Sequence, residues 1–156
     1  MKALDGTMTQ KQHAGKRKPF SRSLVLPNDV QTIPRLQHFV DEVCDSVDFD
    51  QAQTMQMNLA LEEAVVNVMK YAYPKDTPGD VKVDAYRDEG QLVFTISDSG
   101  TPFDPTAREK VDTTLSLEER PIGGLGIFLV RELMDSIHYE RVGGRNVLTL
   151  CKKLGL

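Results

Sequence analysis

The 156-residue sequence has no tryptophan, two cysteines, three histidines and little aromatic character, 6% of residues. Cys44 and Cys151 stand far apart, without CxxC spacing or clustered histidines, which excludes a disulfide-stapled scaffold and offers no metal motif. Both are expected to be buried thiols. His13, His38 and His138 lie in unrelated contexts and are expected to fill ordinary structural or surface roles. No run approaches the roughly 18 apolar residues of a membrane span, and the first residues lack the apolar segment of a secretory signal. The simplest expectation is a cytoplasmic protein with no membrane contact. An excess of positive charge is also missing: 19 Lys and Arg against 23 Asp and Glu give a net charge of -4, which argues against direct nucleic-acid binding. The basic residues cluster early, where Lys2, Lys11, Lys16, Arg17, Lys18 and Arg22 face only Asp5. Residues 1–18 are polar and aperiodic and are expected to be a disordered leader, with 19–156 forming one domain.

What is present is a globular composition, 40% hydrophobic and 27% charged. FSRSLVLP (20–27) has strand character and ends at a proline. Asn28 or Asp29 can cap a helix in which Val30, Ile33, Leu36, Phe39, Val40 and Val43 follow a 3.6-residue period, with Pro34 marking a possible start in its first turn. DFDQ opens a second helix running to about Tyr73, before Pro74. VKVDAYR and QLVFTIS alternate apolar and polar residues around DEG, as a β-hairpin does. Residues 101–122 are polar, aperiodic and longer than an ordinary connection. GGLG then leads into a third helix, IFLVRELMD, and SIHYERV and RNVLTLCKKL form a second hairpin around a GG turn. The order β, α, α, β, β, loop, α, β, β predicts an α+β two-layer sandwich, with three helices on one face of a mixed, mostly antiparallel sheet.

Three stretches carry polar chemistry where packing alone would place apolar residues. In LALEEAVVNV (59–68), Glu63 and Asn67 are four residues apart and share a helix face beside Ala60 and Ala64. A carboxamide buried without a partner costs roughly 2–7 kcal/mol, and a charge costs more. Hard oxygen ligands with small neighbours suit Mg²⁺, although hydrogen bonds to a loop would explain the pair equally well. Glu62 lies about 100° around the helix and is read as solvated or partner-facing. In ISDSGTPFDP, Asp98 ends a buried strand; it can accept from an exocyclic amine such as that of adenine, or simply close an Asx turn, with Gly100 allowing the chain to turn. In GGLG, residues without Cβ let backbone amides approach phosphates at a helix start. The pattern is not Walker A, and no parallel βαβ unit supports a Rossmann reading.

Taken together and in this order, EAVVN, DSGTPF and GGLG resemble the N, G1 and G2 boxes of the GHKL ATPases. That superfamily has the Bergerat, or histidine-kinase-like ATPase, fold. Within it the sequence is most similar to the bacterial anti-sigma-factor serine/threonine kinases, through EAVVNVMKYAY, SDSGTPFDP and GGLGIFLVRELMD, over about residues 20–153. The resemblance implies that Glu63 is the base that orients and deprotonates a substrate hydroxyl, that Asn67 holds Mg²⁺, and that Asp98 reads the adenine of ATP. It also implies that Gly100 lets the chain pass the base, that Gly123, Gly124 and Gly126 place amides at the phosphates, and that residues 104–122 form the ATP lid. Arg120 would reach the γ-phosphate. The chain departs from the pattern at Arg145, where many members have threonine directly after the last glycine, which leaves Asn146 to bond near the base. It departs again at Tyr71 and Ala72, where these kinases commonly have histidine and glycine.

The implied activity is transfer of the γ-phosphoryl of ATP to a serine or threonine of a STAS-type anti-anti-sigma protein, together with sequestration of a sigma factor by what is usually a homodimer. A nucleotide-gated binding module without transfer belongs to a different functional class. Glu63 favours the enzyme, because a nucleotide sensor needs no base at that position.

Overall fold

The computed structural model describes residues 21–107 and 124–155. The expected leader, most of the expected lid, Arg120 and Gly123 lie outside the described residues. Strand β1 (Ser21–Pro27) is followed by a 3-10 turn (Val30–Thr32) capped by Asp29, whose Oδ1 accepts from the Gln31 amide at 2.9 Å. Helix α1 (Ile33–Ser46) then starts with Pro34 in its first turn, where a missing N–H has no intrahelical acceptor to lose. Its buried stripe is Ile33, Leu36, Phe39, Val40, Val43 and Cys44, whereas Val30 belongs to the 3-10 turn and stays exposed. Helix α2 (Gln51–Tyr71) opens with a reciprocal cap: Asp50 accepts from the Gln53 amide at 2.8 Å, and the Gln53 side chain accepts from the Asp50 amide at 2.9 Å. It ends at Tyr71, two residues short of the expected Tyr73, because the residue before Pro74 is pushed out of helical geometry.

Strands β2 (Asp80–Asp88) and β3 (Gln91–Asp98) form the first hairpin, and its turn residues Glu89 and Gly90 both have positive φ, 40° and 83°. Helix α3 spans Gly124–Leu133, so Gly124 and Gly126 lie inside its first turn rather than ahead of it. Strands β4 (Ser136–Val142) and β5 (Arg145–Lys153) close around Gly143 and Gly144, again both at positive φ. This conformation matches the twist of a hairpin and favours glycine.

The sheet order is β1-β2-β3-β5-β4, and each of these pairings is antiparallel. The fold is thus the expected α+β sandwich, with an antiparallel sheet in place of a mixed one. β3 is central. Its residues Leu92, Phe94 and Ile96 bury completely or nearly so, in line with Val81, Val83 and Ala85 of β2 and with Leu148 and Leu150 of β5. Against this face pack Leu61, Val65 and Val68 of α2 and Ile127 and Val130 of α3. Each such side chain contributes about 1.5–3 kcal/mol relative to exposure. The same alternation carries Asp98 and Asn146 onto the buried face at one end of the sheet, the last positions of rows that are otherwise apolar.

Candidate nucleotide site

Asp98 is 1% exposed and Asn146 is 3% exposed, and the two are Cα partners across the β3–β5 pair. Cross-strand partners project to the same face, which brings their side chains into contact. Oδ1 of Asp98 accepts from the Gly100 amide at 2.8 Å and from Asn146 Nδ2 at 2.9 Å. Oδ2 of Asp98 is buried and accepts from no described residue. A buried carboxylate oxygen with no donor is expensive, and the missing group must be a hydrogen-bond donor. The local Asx turn expected from the sequence is present, through Gly100 N–H to Oδ1, but it consumes only one of the two oxygens.

The loop after β3 is fixed to the end of α2. The Ala72 carbonyl accepts from both the Thr101 amide, at 2.7 Å, and the Thr101 hydroxyl, at 3.0 Å. Gly100 fits because a Cβ there would stand 2.3 Å from that same carbonyl oxygen. The need for glycine at position 100 is therefore set by close approach to α2. Tyr73 adds a second tie, its hydroxyl donating to the Asp80 carbonyl at 2.7 Å and accepting from the Ser99 amide at 3.2 Å. The rings of Tyr71 and Phe103 meet at 5.7 Å. The two departures at Tyr71 and Ala72 thus both lie where α2 meets this loop.

Asn67 sits little more than one helical turn before Ala72. It is 5% exposed, and its Nδ2 is buried without a hydrogen-bond partner among the described residues. Because the two ends of a carboxamide exchange by a flip, this position can offer either a donor or an acceptor to a ligand. Glu63, one turn earlier on the same face, is half-buried and makes no hydrogen bond or ion pair with a described residue. Glu62 instead accepts from Gln37 Nε2 of α1 at 3.0 Å, so the structure directs it to the interhelical side, away from Glu63.

These residues fit Mg²⁺ bound together with a nucleotide. Asn67 offers a single hard ligand, and no group of three or more His, Cys, Asp or Glu side chains that could hold a metal occurs among the described residues. An ion held by one side chain must draw its remaining ligands from phosphate and water, as Mg²⁺ commonly does. The unpaired Asp98 Oδ2 likewise fits the exocyclic amine of adenine.

Gly124 and Gly126 are placed in the first turn of α3, where amide N–H groups lack intrahelical acceptors. The first residues of the expected lid are held by Asp104, whose Oδ1 accepts from the Thr106 amide at 2.8 Å, and by Arg131 of α3, which donates to the Thr106 carbonyl at 2.6 Å. Sequence reasoning did not find Arg131, Thr101, Tyr73 or Tyr139, whose hydroxyl donates to Asn146 Oδ1. Thr101 lies inside DSGTPF and could have been read from the motif; the other three act through tertiary contacts with no local signal. Arg145 is exposed and donates to Ser97 Oγ at 3.2 Å, while the next residue, Asn146, takes the buried position beside Asp98. A separate cavity of about 550 Å³ between α1 and α2, lined by Asp41, Asp45, Phe49 and Asp50, shares none of these residues.

The family model described as a histidine kinase-like ATPase domain matches residues 26–152, a range that spans all three motifs. The chain belongs to that family. Among curated relatives, the serine-protein kinase RsbW of Listeria monocytogenes is 34% identical over 85 residues, covering 52% of this chain and 54% of that protein. RsbW of Bacillus cereus is 33% identical over 96 residues, 59% of each chain. The serine/threonine-protein kinase BtrW of Bordetella bronchiseptica is 29% identical over 94 residues, 60% of this chain and 66% of that protein. The chain thus spans between about half and two thirds of the length of these relatives. In fold it is similar to the crystal structure of the RsbU and RsbW domains of a Mycobacterium tuberculosis protein, with a TM-score of 0.61 at 16% identity, over 88% of this chain and 33% of that one.

Proposed function

We propose that this protein is an ATP-dependent serine/threonine kinase that phosphorylates a STAS-type anti-anti-sigma protein and sequesters a sigma factor, acting in the cytoplasm as a homodimer. The observation that carries the nucleotide part is the buried Oδ2 of Asp98, unpaired among the described residues, with the orphaned Nδ2 of Asn67 on the helix that closes the same loop. The kinase part is supported by relatives named as serine and serine/threonine kinases and by Glu63, a half-buried carboxylate with no partner among the described residues.

In this reading Asp98 accepts from the adenine amine, and Gly124 and Gly126, together with Gly123, present backbone amides to phosphate at the start of α3. The carboxamide oxygen of Asn67 would hold Mg²⁺, and the ion would supply charge neutralisation at the phosphates. Glu63 accepts the hydrogen bond of the incoming serine or threonine hydroxyl and takes up its proton as transfer proceeds. Arg120, on a lid spanning 104–122, steadies the γ-phosphate. The product carries about -1.5 to -2 extra charge, and that charge ejects the phosphorylated antagonist from an acidic chain. The reaction is read by incubating the protein with Mg-ATP and candidate STAS proteins from its own genome and weighing the products. A phosphoserine or phosphothreonine on the antagonist is expected; ATP-dependent stabilisation with no phosphate on any antagonist would instead identify a nucleotide-gated binding module.

A further inference from the structure

Asn146 uses all of its hydrogen-bonding capacity on protein. Nδ2 donates to Asp98 Oδ1 at 2.9 Å and to the Thr101 carbonyl at 2.8 Å, while Oδ1 accepts from the Phe103 amide at 3.1 Å and from the Tyr139 hydroxyl. A carboxamide has two donor hydrogens and two acceptor lone pairs, so none is left for a ligand. Its orientation is also fixed by its partners. A flip would set the oxygen against a carboxylate and a carbonyl, and the NH₂ against an amide and a hydroxyl.

We infer that Asn146 is a positioning residue that selects which oxygen of Asp98 faces the ligand, and thereby makes the site discriminate a purine bearing an amine from one bearing a carbonyl at the same position. The inference rests on the nucleotide reading above. The carboxylate torsion of an aspartate is broad and nearly two-fold, and the Gly100 amide alone supplies one bond to one oxygen. Adding the Asn146 donor commits Oδ1 twice, which holds Oδ2 in place as a fixed, buried acceptor. Such an oxygen pairs with an exocyclic amine and is left facing another acceptor when a carbonyl replaces the amine. Buried groups left unpaired in this way are the main source of polar discrimination. The chain of control runs from backbone and Tyr139 to Asn146, from Asn146 to Asp98, and from Asp98 to the base.

The test compares binding of Mg-ATP and Mg-ITP to the full chain by titration calorimetry, since ITP carries a carbonyl in place of the adenine amine. Wild type is expected to favour ATP by about tenfold or more, and Asn146→Ala to bring the two affinities to within about threefold of each other. Equal weakening of both nucleotides, with the ratio kept, would mean a merely structural residue and overturn the inference. Tyr139→Phe removes the hydroxyl that anchors the Asn146 oxygen while leaving the Phe103 amide, and is expected to lower the ratio partially. If Asn146→Ala does not fold, an unchanged ratio in Tyr139→Phe overturns the inference in its place. A wild-type chain that binds neither nucleotide removes the nucleotide reading as well, whereas one that binds both without discriminating between them overturns the inference and leaves that reading standing. Discrimination carried intact into Asn146→Ala removes only the role given to Asn146.

Discussion

At the residue scale, the site depends on a few positions with no spare room or no spare bonds. Gly100 meets backbone rather than a yielding side chain, with the Ala72 carbonyl oxygen 2.3 Å from where a Cβ would stand. Gly100→Ala is therefore expected to destabilise the protein by about 1–3 kcal/mol, lowering Tm by several degrees. Gly155, which has open space around it, gives a neutral control, and an unchanged melt for Gly100→Ala would contradict the packing argument. The two cysteines differ in a testable way as well. Burial, only partly offset by a hydrogen bond with Thr54 and helped by the nearby Asp41 charge, pushes the Cys44 thiol up to about 11. Cys151 is only half-buried, contrary to the expectation of two buried thiols. Since the thiolate is the reactive form, a thiol reagent at pH 8 should label Cys151 in the native protein and reach Cys44 only after denaturation. Rapid native labelling at two sites would count against this. Asp98 was legible as a polar residue ending a buried strand; that Asn146 is spent on it was not, because the contact depends on the register of two strands distant in sequence.

At the element scale, α2 combines two tasks. Leu61, Val65 and Val68 pack on the sheet, while on a neighbouring face Glu63 and the Nδ2 of Asn67 make no hydrogen bond with a described residue. The i, i+4 spacing made this face visible in the sequence, and it set Glu62 apart from Glu63, although Glu62, expected to be solvated or partner-facing, bonds instead to Gln37 of α1. Asn67→Ala removes the orphaned carboxamide and should leave the resting Tm nearly unchanged or slightly raised, since a buried unpaired polar group is lost. The rise in Tm on adding Mg-ATP should shrink, because ligand stabilisation follows the affinity for the native state. An undiminished rise would rule Asn67 out as a metal ligand. The start of α3 was less legible: glycine's low helix propensity placed GGLG ahead of the helix, whereas Gly124 and Gly126 are inside it. Tertiary packing of Ile127 and Val130 on the core outweighs that propensity.

At the scale of the whole molecule, the site is assembled where three separate stretches of chain converge: the C-terminal end of α2, the loop after β3, and the second residues of β5, with α3 packed against α2. Element types and their order could be read from periodicity and turn residues. The strand order β1-β2-β3-β5-β4 could not, because the connection from β3 through α3 to the second hairpin carries no local mark of which neighbour the returning strand will take. That insertion of β5 beside β3 brings Asn146 to Asp98 and makes the central strand the floor of the site. The proposed division of roles puts Glu63 at a substrate hydroxyl and nucleotide binding elsewhere. It is tested most directly by Glu63→Ala, measured in parallel for Mg-ATP thermal stabilisation and for phosphoryl transfer to the antagonist by mass. Transfer lost, by at least about 10²-fold, with stabilisation retained is the expected result; transfer retained in Glu63→Ala would contradict it.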